Sequence, residues 1–269
     1  MMRAFHDTPY PIVDGHAHLG RWGRFRMPFA GDDAIVETLD RCGIACACVS
    51  HNLAIGVDWR AGNQRTLAAL DRNPGRIAGY CVVNPHAPAS EVEAELDRLL
   101  AHPGMRGLKF HTSQHAYRFS GPGYQPALEY ANAHRLPILT HGWESPQALE
   151  RIASRFTDAR FILAHAGAAW NGRDEDPNLR VAQQMPNVWV DICGSVAHFG
   201  ALPRLVELLG PQKILWGTDA TWFDPGPYLY RVLASPLDHD AKRMILGTNA
   251  IALLGLEAWL RRSRHPGCS

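Results

Sequence analysis

The chain is 269 residues long and 46% apolar, with a formal net charge of +1; that near-neutral balance argues against the strongly basic surface of a nucleic-acid binder or a membrane-surface protein. No apolar run approaches the roughly 18 residues of a membrane span, and the opening MMRAFHDTPYP reaches polar residues and proline at once, so the sequence reads as one cytoplasmic domain over residues 1–269, a length suited to a single α/β barrel. The six cysteines lack the paired spacing of a zinc knuckle or a disulfide framework and read as buried free thiols.

Short apolar, β-branched-rich runs alternate with segments of helical period along the chain, the rhythm of a parallel sheet with crossover helices. The runs fall at residues 11–14, 44–50, 77–83, 105–111, 136–141, 160–165, 188–192 and 213–218, and helices are predicted between them at 33–41, 59–72, 89–101, 124–134, 145–155 and 202–209. Eight such units predict a (β/α)8 TIM barrel. The weakest crossover is AWNGRDEDPNLRVAQQM, where apolar period starts only at Leu179, and ILGTNAIALLGLEAWLRR predicts a C-terminal closing helix.

Catalytic groups of such barrels gather where the strands end, so polar residues there are the candidates. IVDGHAHLG places His16 and His18 two residues apart, so in a strand both imidazoles face one way and make half of a zinc-type site. Asp14 suits a hydrogen-bond partner of a ligating imidazole, and Gly15 lets the backbone bend. Lys109 and His111 end the fourth run, His141 the fifth, His165 the sixth, and Asp219 follows the eighth, which puts them all on one rim. Alternation turns Gly107, Lys109 and His111 inward.

The ordered set DGHAH, GLKFH, PILTHGW, ILAHAG, ILWGTDATW and ILGTNAIALLGL resembles the amidohydrolase superfamily, in particular its amidohydrolase-related branch (amidohydrolase family 2), which includes metal-dependent hydrolases and decarboxylases of the aminocarboxymuconate-semialdehyde and resorcylate type. The resemblance implies that His16, His18, His141 and Asp219 bind one divalent ion, most often zinc, with His165 beside it as a catalytic or second-site residue. Three imidazoles and a carboxylate suit Zn²⁺ with room for a water of lowered pKa, for which Asp219 would serve as general base; the alternative for Asp219 is the N-cap of the next segment. In some relatives a fourth-strand lysine is carboxylated and bridges two metals. Here an unmodified Lys109 that orients a substrate anion or a neighbouring carboxylate is favoured, with His111 as a polar residue on the substrate side or a hydrogen-bond partner of a ligand.

The loop GRWGRFRMPF carries Arg21, Arg24 and Arg26 among Trp22 and Phe25, and either clamps a carboxylated substrate or is a solvated loop. Trp143, Trp170 and Trp222 add aromatic surface to the rim, which suggests a flat or hydrophobic substrate. No phosphate loop, nucleophile elbow or dinucleotide fingerprint is present. The leading expectation is hydrolysis of a small, carboxylated or aromatic substrate by a metal-activated water; the alternative is non-oxidative decarboxylation of an aromatic or muconate-like acid on the same site, and a non-catalytic binding barrel is the third reading. The expected partner is a small molecule, with neither nucleic acid nor membrane, and a homodimer is compatible with the sequence.

Overall fold

The computed structural model describes residues 8–24, 26–27, 31–169, 176–194 and 200–264. The eight apolar runs form eight parallel strands in sequential order: β1 (Ile12–Leu19), β2 (Ile44–His51), β3 (Ile77–Val82), β4 (Met105–His111), β5 (Pro137–His141), β6 (Arg160–Leu163), β7 (Val188–Asp191) and β8 (Ile214–Leu215). Closure comes from backbone bonds between β1 and the segment beyond β8: Gly15 N–H to Trp216 O at 2.9 Å, and Thr218 and Asp219 N–H to His16 O at 3.2 and 2.9 Å. The (β/α)8 barrel read from the sequence is the observed fold. All eight residues of β1 are buried, as expected for a strand covered by helices on one face and packed into the barrel on the other.

Helices surround the sheet with their apolar stripes inward. In Pro146–Arg155 the Ser145 side chain accepts the Ala148 N–H, proline occupies the first turn, and Ala148, Leu149, Ile152 and Ala153 face the core; losing that cap costs about 1 kcal/mol. At the opposite end of the barrel from the polar rim, the closing segment Asn249–Leu254 and Glu257–Leu260 covers the strand starts, and Trp259 donates its indole N–H to Ile77 O at 2.8 Å. Among the described residues no helix is long and apolar enough to cross a membrane.

Three strand ends differ from the sequence reading by more than one residue, and each matters at the rim. β1 runs on to Leu19, so His16 and His18 lie inside a strand, at a register irregularity between Asp14 and Ala17. β6 stops at Leu163 and β8 at Leu215, because the chain leaves extended geometry before His165 (φ 59°) and Asp219 (φ 58°). Both side chains are therefore presented by left-handed residues on turns. Left-handed φ is uncommon for a residue with a β-carbon and recurs where function fixes a side chain.

Candidate metal and active centre

Three donor atoms converge at the mouth of the barrel between β1 and the segment after β8. Asp219 Oδ1 lies 3.3 Å from His18 Nε2 and 3.5 Å from His16 Nε2, and all three residues are at most 2% exposed. His16 is oriented from behind: its Nδ1 donates to Asp191 Oδ2 at 2.9 Å, which fixes the tautomer and turns a bare Nε2 toward the cluster. Ser50 Oγ lies 3.3 Å from His18 Nδ1. Asp14, expected to support an imidazole, instead accepts the His16 and Thr218 backbone N–H groups and the Thr218 hydroxyl. It thereby pins the β1 backbone to the loop that carries Asp219, while Asp191 does the work expected of it.

The β4 and β5 side of the rim is organised differently. Lys109 is fully buried, with Nζ 2.9 Å from His16 Nε2, and burial brings its ammonium down to about 8 against the pull of Asp219 and Asp191. His111 and His141 stack with ring centroids 4.2 Å apart, and His141 meets the His165 ring edge-on at 4.8 Å. His141 Nδ1 is buried and has no hydrogen-bond partner among the described residues. Burial, reinforced for His141 by the Lys109 charge, brings His18 to about 4 and His141 to about 3, and it lowers His16 and His111 as well. The imidazoles are therefore neutral at pH 7 and their lone pairs are available. Burial works against the Asp219 carboxylate too, yet the surrounding imidazoles hold it well below the usual range.

The turn after β7 ties these pieces together. Asp191 Oδ1 accepts the backbone N–H groups of His165 (2.9 Å) and Cys193 (3.0 Å), and His165 Nδ1 donates to Cys193 O at 2.8 Å. His165 Nδ1 also lies 3.8 Å from Asp219 Oδ2. Two sets of potential ligand atoms, each mutually within 4.8 Å, occur among the described residues: His16, Cys193 and Asp219, and His165, Asp191 and Cys193. Burial and the Asp219 and Asp191 carboxylates push the Cys193 thiol up, so without an ion it is a neutral S–H. Sequence reasoning missed both Asp191 and Cys193. Asp191 ends a strand, and the rule applied to the other strands finds it in VWVDIC; Cys193 had no signal beyond following it.

The remaining candidates fall on two sides of the wall formed by His18, Trp222 and Trp22. Trp222 stacks on His18 (4.2 Å, 9° between planes), and Trp22 leans on Trp222 at 4.8 Å. Trp22 also lines an open cavity of about 570 Å³ whose other walls include Arg21, Arg24, His51, Arg65 and Gln114. Arg21 and Arg24 are exposed there, Arg24 lying 6.0 Å over the Trp22 ring, so they border the approach to the centre and do not touch it. Trp143 departs from expectation: it is 4% exposed, and its indole N–H is given to Asn178 Oδ1 at 2.8 Å, so it holds the loop after β5 against the helix Pro177–Gln184 and does not face the rim. Phe25 and Trp170 lie outside the described residues.

The donor set fits a divalent ion. Neutral imidazole nitrogens with one ionised carboxylate are zinc-type ligands, the His16–Asp191 bond is the usual support of a ligating imidazole, and the partnerless His141 Nδ1 is a buried polar atom that needs a partner on the rim. Lys109 Nζ holds the same His16 Nε2 that an ion would use, so it would have to swing toward a bound anion when the ion enters.

Residues 13–256 match the family model described as Amidohydrolase. No curated protein matches the chain by sequence. Solved structures share its fold: 5-carboxyvanillate decarboxylase from Sphingomonas paucimobilis (TM-score 0.74, 16% identity, 91% of this chain and 99% of that one); 5-carboxyvanillate decarboxylase from Novosphingobium aromaticivorans with manganese and 4-hydroxy-3-methoxy-5-nitrobenzoic acid (0.76, 12%, 92% and 96%); and a putative 2-pyrone-4,6-dicarboxylic acid hydrolase from Pseudomonas putida (0.71, 20%, 92% and 98%).

Proposed function

The chain belongs to the amidohydrolase family, and on that premise we propose that it is a metal-dependent, non-oxidative decarboxylase of a small aromatic acid. This reverses the order of the two reactions expected from the sequence. The observation that carries it is the column of stacked rings His18, Trp222 and Trp22, which starts at a group of neutral imidazoles and an ionised carboxylate. A planar acid set along the side of that column would bring its carboxylate to the cluster. The fold relatives that act on ring acids support the same substrate class.

His16, His18, His141 and Asp219 would hold one divalent ion, for which we propose zinc. When bound, the ion would supply positive charge for the carboxylate of an acidic substrate. Lys109 would pair with the same anion in a buried site where charge interactions are strong. Loss of CO2 breaks the bond from carboxyl to ring carbon and leaves the electron pair on the ring. Desolvation of the carboxylate favours that step, because its charge disperses. The ring carbon then takes a proton. His165 would give it from Nε2, because its Nδ1–H is committed to the Cys193 carbonyl. A water proton restores His165.

Hydrolysis is the second reading, since the ionised Asp219 beside His16 and His18 would be placed to take a proton from a metal-activated water. Metal-loaded protein incubated in D2O with hydroxybenzoic acids and pyrone carboxylic acids separates the two. We expect CO2 release with deuterium at the vacated ring carbon. Pyrone opening with no CO2 from any benzoic acid would restore the hydrolase reading.

A further inference from the structure

We propose that Cys193 supplies a sulfur ligand to the divalent ion at the barrel mouth, giving a mixed nitrogen, oxygen and sulfur centre that prefers zinc or cobalt to manganese. The inference rests on the metal-centre reading above and adds a residue of different chemistry to it. Its basis is position. Cys193 is fully buried, and its sulfur lies within 4.8 Å of ligand atoms of both His16 and Asp219, and of those of His165 and Asp191. The backbone holds it there, since its N–H is bonded to Asp191 Oδ1 and its carbonyl to His165 Nδ1. The next residue, Gly194, has φ 57°, and a β-carbon there would come 3.2 Å from Asp219 Oδ2 and 3.3 Å from His165 Nδ1, so the turn is pressed directly against the centre. Cys46, Cys48 and Cys81 are equally buried but belong to no ligand group among the described residues.

A dication held there would take the sulfur as thiolate, because a coordinating thiol is deprotonated outright. One ion enters, the S–H proton leaves to solvent, and no oxidation state changes. Thiolate is a soft ligand that selects zinc and cobalt, whereas manganese prefers oxygen.

The test is spectroscopic and needs no substrate. Protein loaded with Co²⁺ should show thiolate-to-cobalt charge transfer in the near ultraviolet. Cys193→Ser should lose that band while keeping its visible cobalt bands, and its preference for zinc over manganese in a competition titration should fall by about tenfold or more. Wild-type protein that binds cobalt without the band would overturn the sulfur ligand and leave the histidine and aspartate centre standing; a chain that holds no cobalt would overturn both. The wild-type spectrum decides even if Cys193→Ser fails to fold, and Cys193→Ala provides a second variant.

Discussion

The two halves of the barrel mouth are built on different principles. On the β7–β8–β1 side each polar group is fixed by a named bond: Asp191 to His16, Asp14 to Thr218, His165 to Cys193, and His18 to Asp219. Across the mouth, on β4 and β5, His111 and His141 are held chiefly by stacking, His141 Nδ1 has no partner among the described residues, and Lys109 reaches back to His16. One side is preorganised by the protein alone. The other keeps buried polar capacity in reserve, which is costly unless something bound there uses it. On the metal-centre reading proposed above, the first side would fix most of the ion's ligands and the second would adjust to ion and substrate.

The most drastic way to break that division is to empty the preorganised side. His16→Ala with His18→Ala should abolish metal binding, measured by elemental analysis, together with turnover. Circular dichroism should still show a folded barrel, because the core is built from apolar strand residues such as Val13, Val49, Leu139 and Ile162. Full metal content in the double variant would sink the ligand assignment. His165→Asn comes next. It should cost a hundredfold or more in kcat, about 2.7 kcal/mol, with the metal retained. Metal loss in step with activity would make His165 a ligand and revive the two-metal reading with Lys109 as the bridge.

Asp191→Asn tests whether orientation is what the first side contributes. The amide keeps the shape but loses the charge that fixes the His16 tautomer, so metal affinity should fall by about ten- to a hundredfold while thermal stability changes far less. Equal loss of stability and affinity would make Asp191 a plain structural acid.

The fold was legible because apolar runs and helical periods alternate eight times, a pattern that only a parallel sheet with crossovers uses. His16, His18, Lys109, His111, His141, His165 and Asp219 were legible as candidates for one rim by a single rule, that polar side chains at strand ends face the site. Their mutual geometry was not. It depends on an irregularity in β1 and on left-handed turns at His165 and Asp219, where nothing in the residue types announces a positive φ. Cys193 was hidden for a different reason: a cysteine after an apolar strand reads as core packing until the fold shows what its sulfur faces. Trp143 was misplaced because periodicity does not say which way a residue points once the strand has ended.

The second side is reached through pH. His141 is neutral in the folded protein down to about pH 3, whereas an unfolded histidine takes up a proton near pH 6.5. Between those values the unfolded chain binds more protons, so His141 lowers stability as the pH falls. Asp14, pushed up to about 8 by burial, works in the opposite sense, which makes a difference measurement the clean one. The metal-free wild type should lose at least about 3 °C more in Tm between pH 6.5 and pH 4 than His141→Asn does. Parallel curves would mean that His141 already has a partner.

The smallest effect belongs to the wall that both halves share. Trp222 is sandwiched between His18 and Trp22, and Trp22 leads on to the cavity with Arg21 and Arg24, so two roles are to be separated: bracing the His18 imidazole and presenting the side of that stack as a contact face for a planar substrate. Aromatic pairs contribute about 0.5–1.5 kcal/mol beyond the area they bury. If the substrate uses that face, Trp222→Leu should raise KM for an aromatic acid by about three- to tenfold with little change in kcat, since stacking acts equally on ground and transition states. Trp222→Phe should recover most of it. Metal content measured on the same samples gives the discrimination: an unmoved KM with weakened metal retention would confine Trp222 to bracing His18, and the aromatic wall would then no longer argue for a flat substrate.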